Sequence, residues 1–141
     1  MKVIDVLRDA VMRGACQKSG KATDWKSLCW LFFTPQGREF CKANNFPSIK
    51  QFHDMAKQVI VHGIYVDCGE IEVHSKENVG LVGNTSAKLY YSSPSKLHRV
   101  VLMHGARAEV YADNYSVVTV TNIGNCEVVK HESNGGKIFV E

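Results

Sequence analysis

The sequence predicts an α+β protein in which a helical N-terminal region, residues 1–62, precedes a repetitive all-β region, residues 63–141. Apolar residues recur with a period of about 3.6 in the first region. From Ile64 onward they alternate with polar residues, as in half-buried strands. The alternating segments are short and evenly spaced, and one spacing pattern recurs three times. We expect the two regions to form one compact unit.

Boundary signals delimit the predicted helices. Thr23 or Asp24 precedes an apolar-rich segment, and side chains of this type accept hydrogen bonds from the first free amides of a helix. Thr34 followed by Pro35 predicts another helix start, because the first turn does not need the N–H group that proline lacks. Ser48 opens a further helix that carries an apolar stripe. The helical region therefore consists of several short amphipathic helices.

The repeat in the second region joins two apolar-x-apolar strands through a gap of five residues. The second strand of each copy begins with a small residue, which suits the tight corner of a stacked coil. A β-solenoid is therefore favoured, and a compact antiparallel sandwich is the alternative. The three copies are Val79–Leu81 with Ala87–Leu89, Val100–Leu102 with Ala108–Val110, and Val118–Val120 with Cys126–Val128.

A solenoid has two ends that need protection, because an uncovered terminal strand invites pairing with another chain. The helical region can cap one end. The other end, near Glu141, has no such cover in the sequence. We therefore expect self-association into a dimer or trimer.

Composition narrows the class of protein. The chain has 141 residues, a formal net charge of +3 and scattered cationic residues, so nucleic acid is not the favoured partner. No apolar run approaches the roughly 18 residues of a membrane helix, and the first residues lack the pattern of a secretory signal. The five cysteines are widely spaced and odd in number, which indicates reduced thiols. A cytoplasmic protein is expected.

The sequence predicts neither a metal nor another cofactor. C-x-x-C and H-E-x-x-H motifs are missing, and the histidines are not spaced as metal ligands. An enzyme that uses Cys68 or Cys126 as a nucleophile beside a histidine is the least favoured function, because no spacing supports it.

Cationic and aromatic residues alternate near glycine turns, and this pattern predicts a site for a small anionic ligand. An aromatic ring can stack on a base while a cation neutralises a phosphate. The competing interpretation is an ordinary solvated sheet face, with Arg38 at a capped helix start. The predicted site residues are Arg99, His104, Arg107, Tyr111 and Arg38.

Three segments resemble a family of small proteins of gut bacteria and their phages that carries no established activity. The segments are Thr34–Cys41, Asn45–Ser48 and Val100–Ala108. The resemblance implies a phage-encoded protein in the cytoplasm of a bacterial host, or on the virion.

Two functions follow from the site pattern and the resemblance together. The first is a non-enzymatic oligomeric binding protein that sequesters a small nucleotide-like anion or a host defence component. The second is a structural or virion-associated β-repeat module.

Overall fold

The computed structural model describes residues 1–15 and 22–141. Cys16 and the polar loop that the sequence predicts over residues 17–21 lie outside the described residues. The helices are α1 (Val3–Met12), α2 (Trp25–Leu31), α3 (Pro35–Asn44) and α4 (Ile49–Val59), and a 3₁₀ turn spans Ile60–His62. The strands are β1 (Ile64–Val66), β2 (Gly69–His74), β3 (Asn78–Val82), β4 (Thr85–Tyr91), β5 (Leu97–Met103), β6 (Arg107–Ala112), β7 (Val117–Ile123), β8 (Glu127–Glu132) and β9 (Lys137–Val140).

The capping signals of the sequence are confirmed. The Asp24 carboxylate accepts a hydrogen bond from the Ser27 amide at 2.8 Å, so Asp24 caps α2. Thr34 Oγ1 accepts the Gly37 amide at 3.1 Å, with Pro35 in the first turn of α3. Each cap satisfies an amide that a helix start leaves free. None of the described helices is long and apolar enough to cross a membrane.

The β region is a two-sheet solenoid with parallel pairing throughout the described strands. One sheet has the order β1-β3-β5-β7-β9 and the other the order β2-β4-β6-β8, so each coil contributes one strand to each sheet. Equivalent residues lie 16, 21 and 20 positions apart, as in the series His74, Tyr90, Tyr111 and His131. The predicted solenoid is confirmed, and parallel pairing excludes the antiparallel sandwich.

The observed register corrects the third copy of the repeat in the five-stranded sheet. Val100 pairs with Val120, whereas the spacing pattern aligned it with Val118. The register predicted from apolar spacing is wrong by two residues here, because Leu102 pairs with the polar residue Asn122.

The predicted register is also wrong by two residues in the four-stranded sheet. Ala108 pairs with Val128, whereas the pattern placed Cys126 in that position. Lys130 occupies the position of the buried Val110, so the apolar signature of this strand is interrupted. The predicted preference for a small residue at the start of the second strand therefore holds for Ala87 and Ala108 only.

Two apolar cores hold the molecule together. The first lies inside the solenoid and is formed by inward side chains of both sheets, including Leu81, Leu89, Leu102 and Val110. The second joins the helices to the outer face of the five-stranded sheet. Its members from β1, β3, β5 and β7 are Ile64, Val66, Val82, Val101, Met103 and Ile123. The helical region thus covers a flank of the solenoid across several coils.

Candidate functional site

The structure separates the five residues that the sequence predicts as one site. Arg107 and Tyr111 lie on the outer face of the four-stranded sheet, as the first and fifth residues of β6. Arg99 lies on β5 in the other sheet. Arg38 belongs to α3, and His104 lies in the turn after β5. Only Arg107 and Tyr111 share a face.

Arg38 and His104 bind the protein's own main chain. The Arg38 guanidinium donates to the Phe33 carbonyl oxygen at 3.0 Å. His104 Nε2 lies 2.7 Å from the Pro47 carbonyl oxygen, and its ring meets the Phe52 ring edge-on at 5.8 Å. These contacts join helical residues to each other and to the solenoid, so both side chains have structural roles.

Tyr111 belongs to a row of stacked rings that runs across the four-stranded sheet. We call His74, Tyr90, Tyr111 and His131 the aromatic ladder. Successive ring centroids are 4.8, 4.7 and 4.4 Å apart, and neighbouring planes differ by 7 to 11°. The in-register pairing of these residues produces the stack, because adjacent strands lie about 4.8 Å apart. The ring faces cover each other, so the ladder presents mainly ring edges to solvent.

The surface around the ladder is acidic. Glu109 accepts hydrogen bonds from Tyr111 Oη at 2.8 Å and from His131 Nε2 at 3.0 Å. These bonds, the first of them foremost, lower the pKa of the Glu109 carboxyl. Arg107 Nε lies 3.2 Å from Glu127. The outward charges of the sheet are Glu70, Glu72, Glu109 and Glu127 against Lys88 and Arg107, so this face does not suit an anion.

A different surface combines an exposed ring with unpaired cations. Arg99 places its guanidinium carbon 5.8 Å from the centroid of the Trp30 ring, and Trp30 is 49% exposed. Trp30 borders a groove of about 380 Å³ between α2, the 3₁₀ turn and the start of β3. We call this surface the cationic groove. Its polar and aromatic lining residues are Lys26, Trp30, Phe33, His62, Lys76, Glu77 and Asn78.

Local structure explains why these residues meet. Lys26 and Trp30 are four residues apart on α2, so they share one helix face. Lys76 lies in the connection between β2 and β3, at the edge of the first coil. Asn78 pairs with Arg99 in the five-stranded sheet, which brings Arg99 beside the groove. The residue spacing on α2 and the register of the five-stranded sheet thus bring Trp30 and Arg99 together at the groove.

The cations of the groove are not neutralised by ion pairs. Within residues 1–15 and 22–141, no carboxylate lies within ion-pairing distance of Lys26, Lys76 or Arg99. Lys76 Nζ donates to Tyr65 Oη at 3.4 Å and lies over that ring. The nearby Asp24 carboxyl has a lowered pKa, chiefly through its hydrogen bonds with Ser27 and to a smaller extent through the surrounding positive charge. The three cations of this surface thus outnumber its two carboxylates, Glu77 and Asp24.

Cysteine chemistry finds no support in the described part of the chain. Cys29 and Cys41 are buried, and burial raises the pKa of each thiol to about 12. Burial also raises the pKa of Cys126, which disfavours the thiolate. The Cys68 thiol donates to the Val66 carbonyl oxygen at 3.5 Å. The described residues contain no cysteine–histidine hydrogen bond and no cluster of three metal-ligating side chains.

An apolar cavity of about 470 Å³ lies among α1, α2 and α3. Its described lining includes Val6, Leu28, Phe32 and Phe40 but no charged side chain. An anionic ligand would gain no electrostatic attraction there, so this cavity is a less suitable site than the cationic groove.

Sequence reasoning missed Lys26, Trp30 and Lys76. The i, i+4 spacing of Lys26 and Trp30 on the polar side of α2 is a signal that the sequence does contain. Their approach to Lys76 and Arg99 is not visible in the sequence, because it depends on how α2 packs against the first coils. Comparison of the chain with protein-family models, curated proteins and solved structures finds no significant match.

Proposed function

We propose that this chain is a non-enzymatic binding protein that takes up a small anionic ligand with a planar ring, of the nucleotide class, in the cationic groove. The observation that carries the proposal is the half-exposed Trp30 ring with Arg99 over it and Lys26 on the same helix face. A base stacked on an aromatic side chain contributes about 1–3 kcal/mol. The unpaired lysines supply the charge that a phosphate requires.

The proposal keeps Arg99 as a ligand-binding residue and moves the site away from Arg107 and Tyr111. Arg107 is paired with Glu127, and the Tyr111 hydroxyl is engaged by Glu109. The wider role is sequestration of such a nucleotide, or of a host defence component, by a phage-encoded protein. This wider role rests on the family resemblance of the sequence.

The test is calorimetric titration with ADP, pyrophosphate and adenosine. We expect ADP to bind most tightly, because it uses both the ring and the cations, and its affinity to fall as salt is raised. Quenching of Trp30 fluorescence in a Trp25→Phe background should accompany binding. If none of the three probes binds at millimolar concentration, the proposed function is wrong.

Variants locate the site. Replacing Lys26 and Lys76 together by glutamine should weaken ADP binding at least about tenfold, which corresponds to about 1.4 kcal/mol. Trp30→Ala should weaken ADP but leave pyrophosphate little changed. The matched control is Lys42→Gln with Lys50→Gln, which makes the same charge change on exposed positions of α3 and α4. Equal losses in the groove pair and the control pair would show that only net charge matters.

A structural module is the second candidate function, and the aromatic ladder favours it. The stack links all four strands of one sheet and stiffens the array of coils. This candidate predicts a tight trimer or larger assembly without affinity for nucleotides. Light scattering that reports a monomer at micromolar concentration would count against it.

A further inference from the structure

The last coil of the solenoid carries charged residues at inward positions. Leu89 and Val110 are buried at one inward position, and the next residue in that row is Lys130. In the adjacent inward row Glu132 follows the buried Ala112. A charged side chain inside a stack of coils is unfavourable unless it is paired or reaches solvent. Lys130 and Glu132 are both exposed at the end of the solenoid, so their charges reach solvent while their stems follow the inward rows.

Both side chains bind the main chain of the facing terminal strand. Lys130 Nζ donates to the Ile138 carbonyl oxygen at 3.3 Å, and Glu132 Oε2 accepts the Ile138 amide at 2.8 Å. One residue of β9 thus has both of its main-chain groups engaged by side chains of β8.

The groups of Ile138 are those that face the open end. The amides of Lys137 and Glu141 donate to the Ser116 and Val120 carbonyls at 2.9 and 2.8 Å, toward β7. Main-chain groups of successive residues in a strand point in opposite directions, so those of Ile138 point away from β7. The lysine and the glutamate occupy the hydrogen-bonding positions that an added strand would use at Ile138, the middle of the β9 edge.

We infer that Lys130 and Glu132 close the β9 edge of the solenoid against strand addition by a second copy of this chain. Phe139 and Val140 of the same strand are 56% and 43% exposed, so a second copy would find apolar side chains beside this edge once the main-chain groups of Ile138 are free. An incoming strand must displace both side chains and leave their charges near the apolar interior. We therefore expect that any self-association of this chain avoids the β9 edge.

Sedimentation velocity over a range of protein concentrations tests this inference. The variant Lys130→Val with Glu132→Ala restores the side chains of the preceding coil, Val110 and Ala112. We expect its self-association to be at least about tenfold tighter than that of the wild-type protein. The control Lys137→Val with Glu141→Ala removes one charge of each sign from the same end and should behave as wild type. Equal masses for the restoring variant and the wild-type protein across the range would overturn the inference.

Amide exchange provides a readout that does not require the double variant to fold. Glu132→Gln keeps an oxygen acceptor and should leave the Ile138 amide protected, whereas Glu132→Ala should speed its exchange relative to the Lys137 amide. An unchanged exchange rate at Ile138 in Glu132→Ala would show that the contact does not close the edge. Protection of Ile138 that rises with protein concentration in the wild-type chain would also refute the inference, because it would place a second copy at this edge.

Discussion

His98 is a titratable residue in the interior of the solenoid, where it is only 1% exposed. Its ring packs against Tyr91 with a centroid distance of 4.3 Å and the ring planes inclined by 33°. The Tyr91 hydroxyl is buried without a hydrogen-bond partner among the described residues. Burial lowers the pKa of His98, although the carbonyls of Lys76 and Ser93 and the Glu77 carboxylate act in the opposite direction. The imidazole is therefore neutral in the folded protein at neutral pH.

This environment predicts a loss of stability in mild acid. The unfolded imidazole takes up a proton near pH 6.5, whereas the folded one resists protonation. The unfolded state thus binds more protons, and the free energy of unfolding falls as pH drops below about 6.5. In His98→Phe, which retains a ring against Tyr91, the slope of stability against pH should decrease by up to about 1.4 kcal/mol per pH unit.

Urea unfolding at several pH values between about 5 and 7.5 measures this slope. The control is His74→Phe, because His74 is exposed at the end of the aromatic ladder. A slope in His98→Phe as steep as in the wild-type protein would mean that another group governs acid sensitivity.

At the scale of elements, the start of α3 shows how closely two helices approach. Gly37 lies in its first turn, and a Cβ atom there would be 1.7 Å from the carbonyl oxygen of Leu31 at the end of α2. The same carbonyl accepts the Thr34 hydroxyl at 2.9 Å, which fixes the short connection. Arg38 completes the junction through its bond to the Phe33 carbonyl. The local sequence is thus accounted for by packing alone, without an anion.

Gly37→Ala distinguishes packing from helix propensity. Propensity alone predicts a gain of about 1 kcal/mol when alanine replaces glycine within a helix. The contact with Leu31 predicts a loss of about 1–3 kcal/mol instead, because the two helices must move apart. Thermal or urea unfolding reports the sign of the change. Gln36→Ala at the exposed neighbouring position is the control and should change stability little, whereas a stabilised Gly37→Ala protein would refute the packing explanation.

The elements were predictable to the extent that local signals determine them. Asp24, Thr34 and Ser48 cap helices as expected, and the change of period at Ile64 marks the first strand. The register of the last coil was not predictable from apolar spacing, because Asn122 and Lys130 stand where earlier coils carry leucine or valine. Tertiary contacts account for such a residue, since Lys130 binds the Ile138 carbonyl oxygen of β9.

At the scale of the whole molecule, both surfaces discussed for binding are products of long-range assembly. Trp30 and Arg99 meet because α2 packs on the flank of the solenoid. Cationic and aromatic residues near glycine turns predict an anion site, but the sequence pattern does not show which of these side chains face one another. Arg107 and Tyr111 share a strand and a face, yet register surrounds them with carboxylates. The sequence therefore could not predict which side chains become neighbours through the stacking of coils.

The aromatic ladder crosses all four strands of the four-stranded sheet, and it should stabilise the molecule through neighbouring pairs. Each stacked pair contributes about 0.5–1.5 kcal/mol beyond burial. A double-mutant cycle on Tyr90 and Tyr111, each replaced by alanine, should give a coupling energy in that range, because their centroids are 4.7 Å apart. The matched cycle on His74 and His131 joins the two ends of the ladder and should give no coupling beyond about 0.5 kcal/mol. The variant Tyr111→Phe separates the contribution of the hydroxyl bond to Glu109 from that of ring stacking. Equal coupling energies in the two cycles would mean that the coils respond as one rigid unit.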